Sequence, residues 1–328
     1  MIYVEKLLKD LILIPSPSGN EKAIGEFIFT ILHKQGFQTE KNLVERDRFN
    51  IVAKLGKPKV YLSAHMDTVN PFLKYSENKS YVFGRGACDT KSSIAAMITA
   101  AIEAKKLKIN NFGLIFTVGE ESTLDGARAV VKSRLPIPFI IVGEPTSLEI
   151  VNVHFGILII KIIVKGKAAH SSRPEKGVNA IYILLNIIQK VNTISLYPET
   201  LMCLAQINGG SADNIIPDEA HAIFSFRISP NDTTDYYKII NSFSTNSIVV
   251  KIIQNIEAVY SKVPTQLSFI KTIKTVKYLT ELSFYKNGVV LGPGDIQYAH
   301  GIQEKLPRKE LSEAVKIYKN ILENFSRN

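Results

Sequence analysis

Cysteine, tryptophan and long apolar runs are scarce or absent in this chain of 328 residues. It has two cysteines, Cys88 and Cys203, and no tryptophan. Two thiols are too few for a disulfide framework or a thiolate zinc cluster. No uncharged apolar run reaches the ~18 residues of a membrane-spanning helix, so we expect no membrane association. The amino-terminal residues mix charges into an amphipathic pattern rather than a secretory signal, so we expect a cytoplasmic protein.

The composition is that of a globular protein with a basic surface. Hydrophobic residues make up 45% and charged residues 21%, and at ~150 residues per domain the length suggests two domains. The 40 basic residues exceed the 30 acidic ones and give a net charge of +10, which attracts acidic partners. A solvated, lysine-rich surface is the simpler interpretation of this charge. No nucleic-acid-binding signature accompanies it, so we expect no nucleic-acid partner.

The first 150 residues alternate helix-like and strand-like patterns. The predicted helices are 3–14, 20–35 and Ser92–Lys105, and the predicted strands are Val60–Ala64, Gly113–Val118 and Phe139–Val142. Strands interleaved with helices indicate a mostly parallel α/β sheet.

The middle of the chain has a different pattern. Predicted strands at 156–164, 219–229 and 247–253, with helices at 177–191 and 233–243, indicate an inserted domain of βαββαβ type. The closing segment is predicted to hold a helix near 266–276, a strand at 288–291 and a helix from 307 to 325. We therefore predict a first domain of residues 1–154 and 264–328, with residues 155–263 inserted in it.

Each predicted strand of the first domain is followed by acidic residues or histidine. His65 and Asp67 follow the first strand, Glu120 and Glu121 the second, and Glu144 the third. Ligands bind at the carboxyl ends of strands in open α/β sheets. The spacing of His65 and Asp67 places both on one face of a strand, where Asp67 can accept the ring N–H of a metal-bound histidine.

Two histidines and three carboxylates form a donor set suited to zinc, cobalt or manganese. The candidate ligands are His65, Asp89, Glu121, Glu144 and His300. One carboxylate can bridge two ions ~3.5–4 Å apart, so this set is what a two-metal hydrolase needs. The ordinary alternatives are a core histidine at His65, a solvated turn at Glu120 and Glu121, a helix cap at Asp89, a strand end at Glu144 and a loop histidine at His300.

The order and spacing of these motifs resemble a known enzyme family. The motifs are SAHMDTV (63–69), GRGACDTKSSIAAM (84–97), TVGEES (117–122), VGEPT (142–146), GKAAHSSRPEKGVNAI (166–181), GGSADNIIPDEAHAIFSFRI (209–228) and GPGDIQYAH (292–300). Together they resemble the di-zinc amidohydrolase and exopeptidase family that includes acetylornithine deacetylase and succinyl-diaminopimelate desuccinylase. The resemblance implies a zinc-peptidase-like α/β catalytic domain with an inserted, ferredoxin-like lid and dimerisation domain.

The resemblance also implies roles for individual residues and two bound divalent ions, Zn²⁺ or Co²⁺. One ion would take His65, Asp89 and Glu144, and the other Asp89, Glu121 and His300, with Asp89 bridging. Glu120 would be the general base and Asp67 would orient His65. His170 of the lid would reach the partner subunit's active site in a homodimer and stabilise the oxyanion. Asn214, Arg227, Gly292 and Gly294 would bind substrate.

The short chain resembles a compact archaeal and thermophile branch of that family. Those enzymes release lysine or ornithine from a small acidic amino-group carrier protein (LysW) in lysine and arginine biosynthesis. The charge of +8 carried by residues 1–150 and 265–328 together is consistent with an acidic protein substrate. The alternatives are a deacetylase acting on free N-acetylornithine or N-acetyllysine, and a non-catalytic scaffold of the same fold. The presence of Glu120 and all five ligands argues against the scaffold.

Overall fold

The computed structural model describes residues 3–270 and 272–327. Within these residues the α-helices, α1 to α7, are Tyr3–Ile12, Lys22–Lys34, Lys91–Lys106, Asp125–Lys132, Ala180–Asn192, Tyr236–Asn241 and Arg308–Arg327. In the same described part the strands, β1 to β16, are Gln38–Glu45, Arg48–Leu55, Val60–His65, Ser76–Glu77, Tyr81–Phe83, Phe112–Thr117, Ile140–Val142, Ile150–His154, Gly156–Lys165, Leu201–Gly209, Glu219–Ile228, Ile248–Ile256, Val259–Tyr260, Ile273–Val276, Gly288–Val290 and Lys305–Pro307.

The chain divides into two compact units. The first comprises the described residues up to Asn152, Ser261–Thr275 and those from Thr280 onwards. The second comprises Val153–Tyr260 and Val276–Leu279, and so interrupts the first in sequence. The assignment of 1–154 and 264–328 to a catalytic domain, and of 155–263 to a lid, stays a prediction.

The sheet of the first unit has a parallel centre and antiparallel borders. Its strands lie in the order β1-β2-β6-β3-β7-β15-β8. β3 runs parallel to β6 and β7, and β7 runs parallel to β15, whereas β2 and β8 are antiparallel to their neighbours. β3 and β6 are buried along their whole length, as expected of central strands covered on both faces. This arrangement confirms the predicted α/β class.

Helix α3 owes its central position to small side chains. Most of its residues are alanine, serine or isoleucine, and it is buried nearly throughout. Small side chains let neighbouring elements approach closely, and α3 packs against α1, α7 and β3. The first turn of α3 follows Asp89 directly, so the packing of this helix holds Asp89 near the carboxyl end of β3.

The second unit is an antiparallel sheet with two helices. Its strands lie in the order β10-β11-β9-β12, and α5 and α6 share a hydrophobic core with the sheet. Along the chain the elements follow as β9, α5, β10, β11, α6 and β12, which confirms the predicted βαββαβ pattern. β10 is an edge strand and is exposed over nearly all its length.

One predicted helix is wrong. In the stretch 266–276 the structure has a single 3-10 turn at Thr265–Leu267 and strand β14, while Lys271 lies outside the described residues. The apolar residues of this stretch, which lie at helical spacing in the sequence, belong instead to the 3-10 turn and to β14. No helix of the described part combines the length and apolar character needed to cross a bilayer.

Candidate metal centre

The carboxyl ends of the parallel strands bring the predicted residues together. His65 is the last residue of β3 and lies in register with Thr117, the last residue of β6. Glu120 follows β6 by three residues, and Glu144 follows β7 by two. Because parallel strands end at one edge of the sheet, residues distant in sequence meet there.

His65 faces two carboxylates with one ring nitrogen. Its Nε2 lies 3.0 Å from Asp89 Oδ1 and 3.9 Å from Glu144 Oε2. All three side chains are buried, and Glu144 Oε1 has no hydrogen-bond partner in the described structure. A buried carboxylate with an unpartnered oxygen, next to other acidic and histidine side chains, is what is expected of a cation ligand.

Asp89 offers its second oxygen to the other histidine. His300 Nε2 lies 3.3 Å from Asp89 Oδ2 and 3.0 Å from a carboxylate oxygen of Glu121. One ligand atom each from His65, Asp89 and Glu121 also lie within 4.8 Å of one another. Asp89 therefore stands between two groups, one with His65 and Glu144 and one with Glu121 and His300, as a bridging carboxylate would.

Burial and the neighbouring carboxylates have opposite effects on the pKa values of the two histidines. Burial alone would lower the pKa of His65, but Glu144, Asp67 and Asp89 raise it well above its usual value. Hydrogen bonds to Asp89 and Glu121 raise the pKa of His300 to about 10. For Asp89, burial acts to raise the pKa, but hydrogen bonds from the two histidines lower it overall.

Two carboxyl groups of the cluster have raised pKa values. Burial raises the pKa of Glu144 well above its usual range, and Asp89 and Glu120 add to the rise while His65 opposes it. Burial likewise raises the pKa of Glu120, and the neighbouring Glu121 adds to that effect. A cation bound nearby would lower these pKa values again, because it favours the deprotonated, negatively charged form of a carboxyl group.

Asp67 organises the turn that carries both glutamates. Its Oδ1 accepts the main-chain N–H of Glu120 at 3.0 Å, and its Oδ2 accepts that of Glu121 at 3.1 Å. Ser18 donates its hydroxyl to Oδ2 at 2.6 Å. His65 Nδ1 lies 2.8 Å from the main-chain oxygen of Asp67 and 3.5 Å from its carboxylate. Asp67 thus orients His65 chiefly through its backbone.

A glycine lets the same turn bend sharply. Gly119 has a φ of +71°, and a Cβ placed there would lie 2.1 Å from Asp125 Oδ1. Asp125 is held in place by Arg48, whose Nη1 donates to Asp125 Oδ2 at 2.7 Å. Asn50 accepts the N–H of Val118 at 3.1 Å. These contacts fix the approach of the chain to Glu120.

The sequence did not predict three residues that support the site. Ser18 contacts Asp67, as described above. Glu281 is fully buried, accepts a hydrogen bond from Thr117 at 2.9 Å, and has its pKa raised to about 7 by burial. Glu304 accepts main-chain N–H groups next to Asp89. A lone glutamate in the mostly apolar stretch around 281 was the available signal, but its partner lies 164 positions away.

The remaining predicted residues lie at two places. In the first unit, Gly292 N–H donates to Thr146 Oγ1 at 3.1 Å and Gly294 N–H donates to Glu310 at 2.7 Å. The other three are in the second unit, where His170 and Asn214 are exposed and burial lowers the pKa of Arg227. Their roles in binding or catalysis stay predictions.

The donor set fits divalent cations. Imidazole nitrogens and carboxylate oxygens converge, and the buried carboxylates outnumber the histidines that face them. Such mixed donors suit zinc, cobalt or manganese. The five predicted ligands can therefore hold two ions that share Asp89.

Known proteins resemble this chain over most of its length. A family model described as Peptidase family M20/M25/M40 matches residues 61–324. A probable carboxypeptidase of Aspergillus flavus is 33% identical, over 95% of this chain and 88% of that protein. A tripeptidase from Staphylococcus aureus has the same fold, with 22% identity, a TM-score of 0.86, and coverage of 99% of this chain and 98% of the other.

A dinuclear metal-binding peptidase of the M20 family from Bacillus subtilis also shares the fold. It is 15% identical, with a TM-score of 0.71, and the match covers 97% of this chain and 96% of the other. The family model spans most of the chain, and the Aspergillus relative is about one-third identical over nearly all of it. The chain therefore belongs to peptidase family M20/M25/M40.

Proposed function

We propose that this protein hydrolyses an amide bond that joins an acyl group to an amino acid with a free α-carboxylate. In this proposal it uses two divalent metal ions, and Zn²⁺ is the first candidate. Its family membership already makes it a metallo-peptidase or related hydrolase. The observation that carries the proposal is Asp89, whose two oxygens face His65 and His300 separately. A shared carboxylate of this kind suits a pair of ions better than a single ion.

The proposed chemistry divides between the ions and Glu120. When bound, two such ions lower the pKa of water and polarise an amide carbonyl. Glu120 would accept a proton from the attacking water as the new C–O bond forms. It would return that proton to the amide nitrogen as the C–N bond breaks, so that the products are a carboxylic acid and an amine. The second step requires a protonated carboxyl group as the acid, and Glu120, whose backbone N–H is held by Asp67, would supply it.

Two substrate classes satisfy this description. The first is lysine or ornithine linked through its α-amino group to an acidic carrier protein, and it is favoured by the net charge of +10. The second is a short peptide that loses its carboxyl-terminal residue, and it is favoured by the name of the Aspergillus relative, a probable carboxypeptidase. N-acetylornithine and N-acetyllysine are smaller substrates with the same type of scissile bond.

We also propose that the second unit completes the catalytic assembly in a homodimer. In this proposal His170 stabilises the oxyanion in the partner subunit's site, while Asn214 and Arg227 bind the substrate. Exposed apolar side chains on edge strand β10, including Leu201 and Ile207, support the dimer because an unpaired strand edge can pair with a second copy.

One comparison of substrates tests the proposed function. The zinc-loaded protein is assayed with carrier-linked lysine, carrier-linked ornithine, dipeptides, tripeptides and N-acetylornithine at several salt concentrations. If the carrier is the substrate, its kcat/KM is highest and falls as salt screens long-range attraction. Highest turnover of a short peptide, with little salt dependence, assigns the protein as a carboxypeptidase instead. Hydrolysis of none of these amides by the metal-loaded protein contradicts the proposal.

A further inference from the structure

A buried ion pair between Arg85 and Glu304 contacts the backbone of Asp89, the carboxylate that faces both histidines. Arg85 Nη1 donates to Glu304 Oε2 at 2.6 Å, and the two residues are 2% and 1% exposed. The other oxygen, Glu304 Oε1, accepts the main-chain N–H of Cys88 at 2.9 Å and that of Asp89 at 3.0 Å. A carboxylate bound in this way on both oxygens has little freedom to move.

The same contacts join two segments that both supply metal ligands. Glu304 follows His300 by four residues, whereas Arg85 precedes Asp89 by four. Cys88 adds a second link, because its Sγ lies 3.3 Å from the main-chain oxygen of Asp295. The turn that carries Asp89 and the loop that carries His300 are therefore held together by side chains that are not themselves ligands.

We propose that Glu304, held by Arg85, is a positioning residue that sets the distance between Asp89 and His300 and so supports the ion that these two residues share. The inference rests on the proposed function, since it requires that ions bind. Glu304 fixes the peptide of Asp89, and this directs Oδ2 toward His300 Nε2 at 3.3 Å. Groups behind a ligand commonly control its orientation in this way.

The effect should be larger for one ion than for the other. His65 is the last residue of β3, and its position comes from the sheet rather than from Glu304. His300 lies in a loop and is exposed. Loss of Glu304 should therefore weaken the ion held by Asp89, Glu121 and His300 more than the ion held by His65, Asp89 and Glu144.

Metal titration of the full-length protein tests this. The protein is stripped with a chelator and titrated with Co²⁺, followed by visible absorbance and calorimetry. The variant His300→Ala identifies the binding step that belongs to the loop ion. In Glu304→Gln the Kd of that step should rise about 10- to 100-fold, and the Kd of the other step should rise less. Arg85→Lys keeps the positive charge but loses the planar guanidinium group. It should raise the same Kd by a smaller factor than Glu304→Gln does.

A half-buried ion pair elsewhere in the first unit provides a control. Arg308 Nε donates to Glu5 Oε1 at 3.0 Å and, like the first pair, joins early and late parts of the chain. Glu5→Gln should lower the Tm without changing either Kd. The proposal is overturned if Glu304→Gln leaves both Kd values as in the wild type, or changes them no more than Glu5→Gln does.

The outcomes separate the two proposals. If Glu304→Gln does not fold, Arg85→Lys decides by the same criterion, and unchanged Kd values overturn the positioning role. A wild-type protein that binds no Co²⁺ contradicts the proposed function itself. A wild type with two ions and unresponsive variants contradicts only the role of Glu304.

Discussion

Glu120 and Glu121 are adjacent in sequence but differ in surroundings. Glu121 contacts His300, whereas burial and neighbouring carboxylates raise the pKa of Glu120. Asp67 accepts the main-chain N–H groups of both residues, so their backbone is fixed. The contact of Glu121 with His300 supports the proposed division of roles, in which Glu121 binds an ion and Glu120 transfers protons.

Glu120→Gln should separate these roles. The amide cannot exchange a proton with water or the leaving amine, so kcat should fall about 10²- to 10⁴-fold while two ions remain bound. Enzyme kinetics and elemental analysis measure the two quantities. The neighbouring variant Glu121→Gln is the control and should lose metal as well as activity. A fully active Glu120→Gln protein would refute the general-base assignment.

Individual residues show what the sequence could reveal about the site. His65, Glu120, Glu121 and Glu144 each follow a buried apolar run, and this position predicted that they would meet. Glu304 was harder to predict because its contribution is a hydrogen bond to the backbone of a residue 215 positions earlier. Backbone N–H groups carry no signal in the sequence, so only the folded chain identifies such a partner.

Among the secondary-structure elements, edge strands were harder to predict from the sequence than central strands. The central strands β3 and β6 were predicted because burial on both faces requires apolar runs. β1 and β10 were not predicted, because each lies at the border of its sheet and is largely exposed. A strand exposed in this way lacks the alternation that marks a half-buried strand.

The turn after β6 requires glycine for two reasons that mutation can separate. Gly119 and Gly19 both have positive φ, but a Cβ at Gly19 meets nothing within 4 Å, whereas one at Gly119 would overlap Asp125. Gly119→Ala should therefore lower the free energy of unfolding by about 2–4 kcal/mol, and Gly19→Ala by about 1 kcal/mol. Urea denaturation measures both. Equal losses of unfolding free energy in the two variants would show that Asp125 moves to make room for the new Cβ.

Edge strand β10 provides a test of the proposed dimer. A charge on this edge should block strand pairing, so Ile207→Lys should shift the protein toward monomer in sedimentation experiments. Ile253 lies on the opposite edge strand, β12, and is similarly exposed, at 54% against 48% for Ile207. Ile253→Lys is therefore the control and should keep the dimer. A dimer lost only in Ile253→Lys would place the interface on β12 instead.

Over the whole molecule, the cluster links stability to pH when no metal is bound. The pKa of His300 is raised to about 10 in the folded protein, against ~6.5 in an unfolded chain. Between these values the folded state binds more protons, so the contribution of His300 to the free energy of unfolding falls as pH rises. Lys91 acts in the opposite direction, since burial lowers its pKa to about 7.

Comparing the Tm of the wild type with that of a His300 variant separates the contribution of His300 from that of Lys91. The Tm of chelator-treated wild type should exceed that of His300→Gln at pH 6.5, and the difference should shrink toward pH 10. Because both proteins contain Lys91, its effect cancels. A Tm difference that widens with pH would contradict the assigned protonation of His300.

The junction between Asp89 and Glu304 also has a consequence during synthesis. Residues 300 to 304 are synthesised more than 200 residues after Asp89. Until then the turn at Asp89 lacks the carboxylate that fixes it and the histidine that faces it. A nascent chain that still lacks residues 300 to 304 therefore cannot bring these groups together at Asp89.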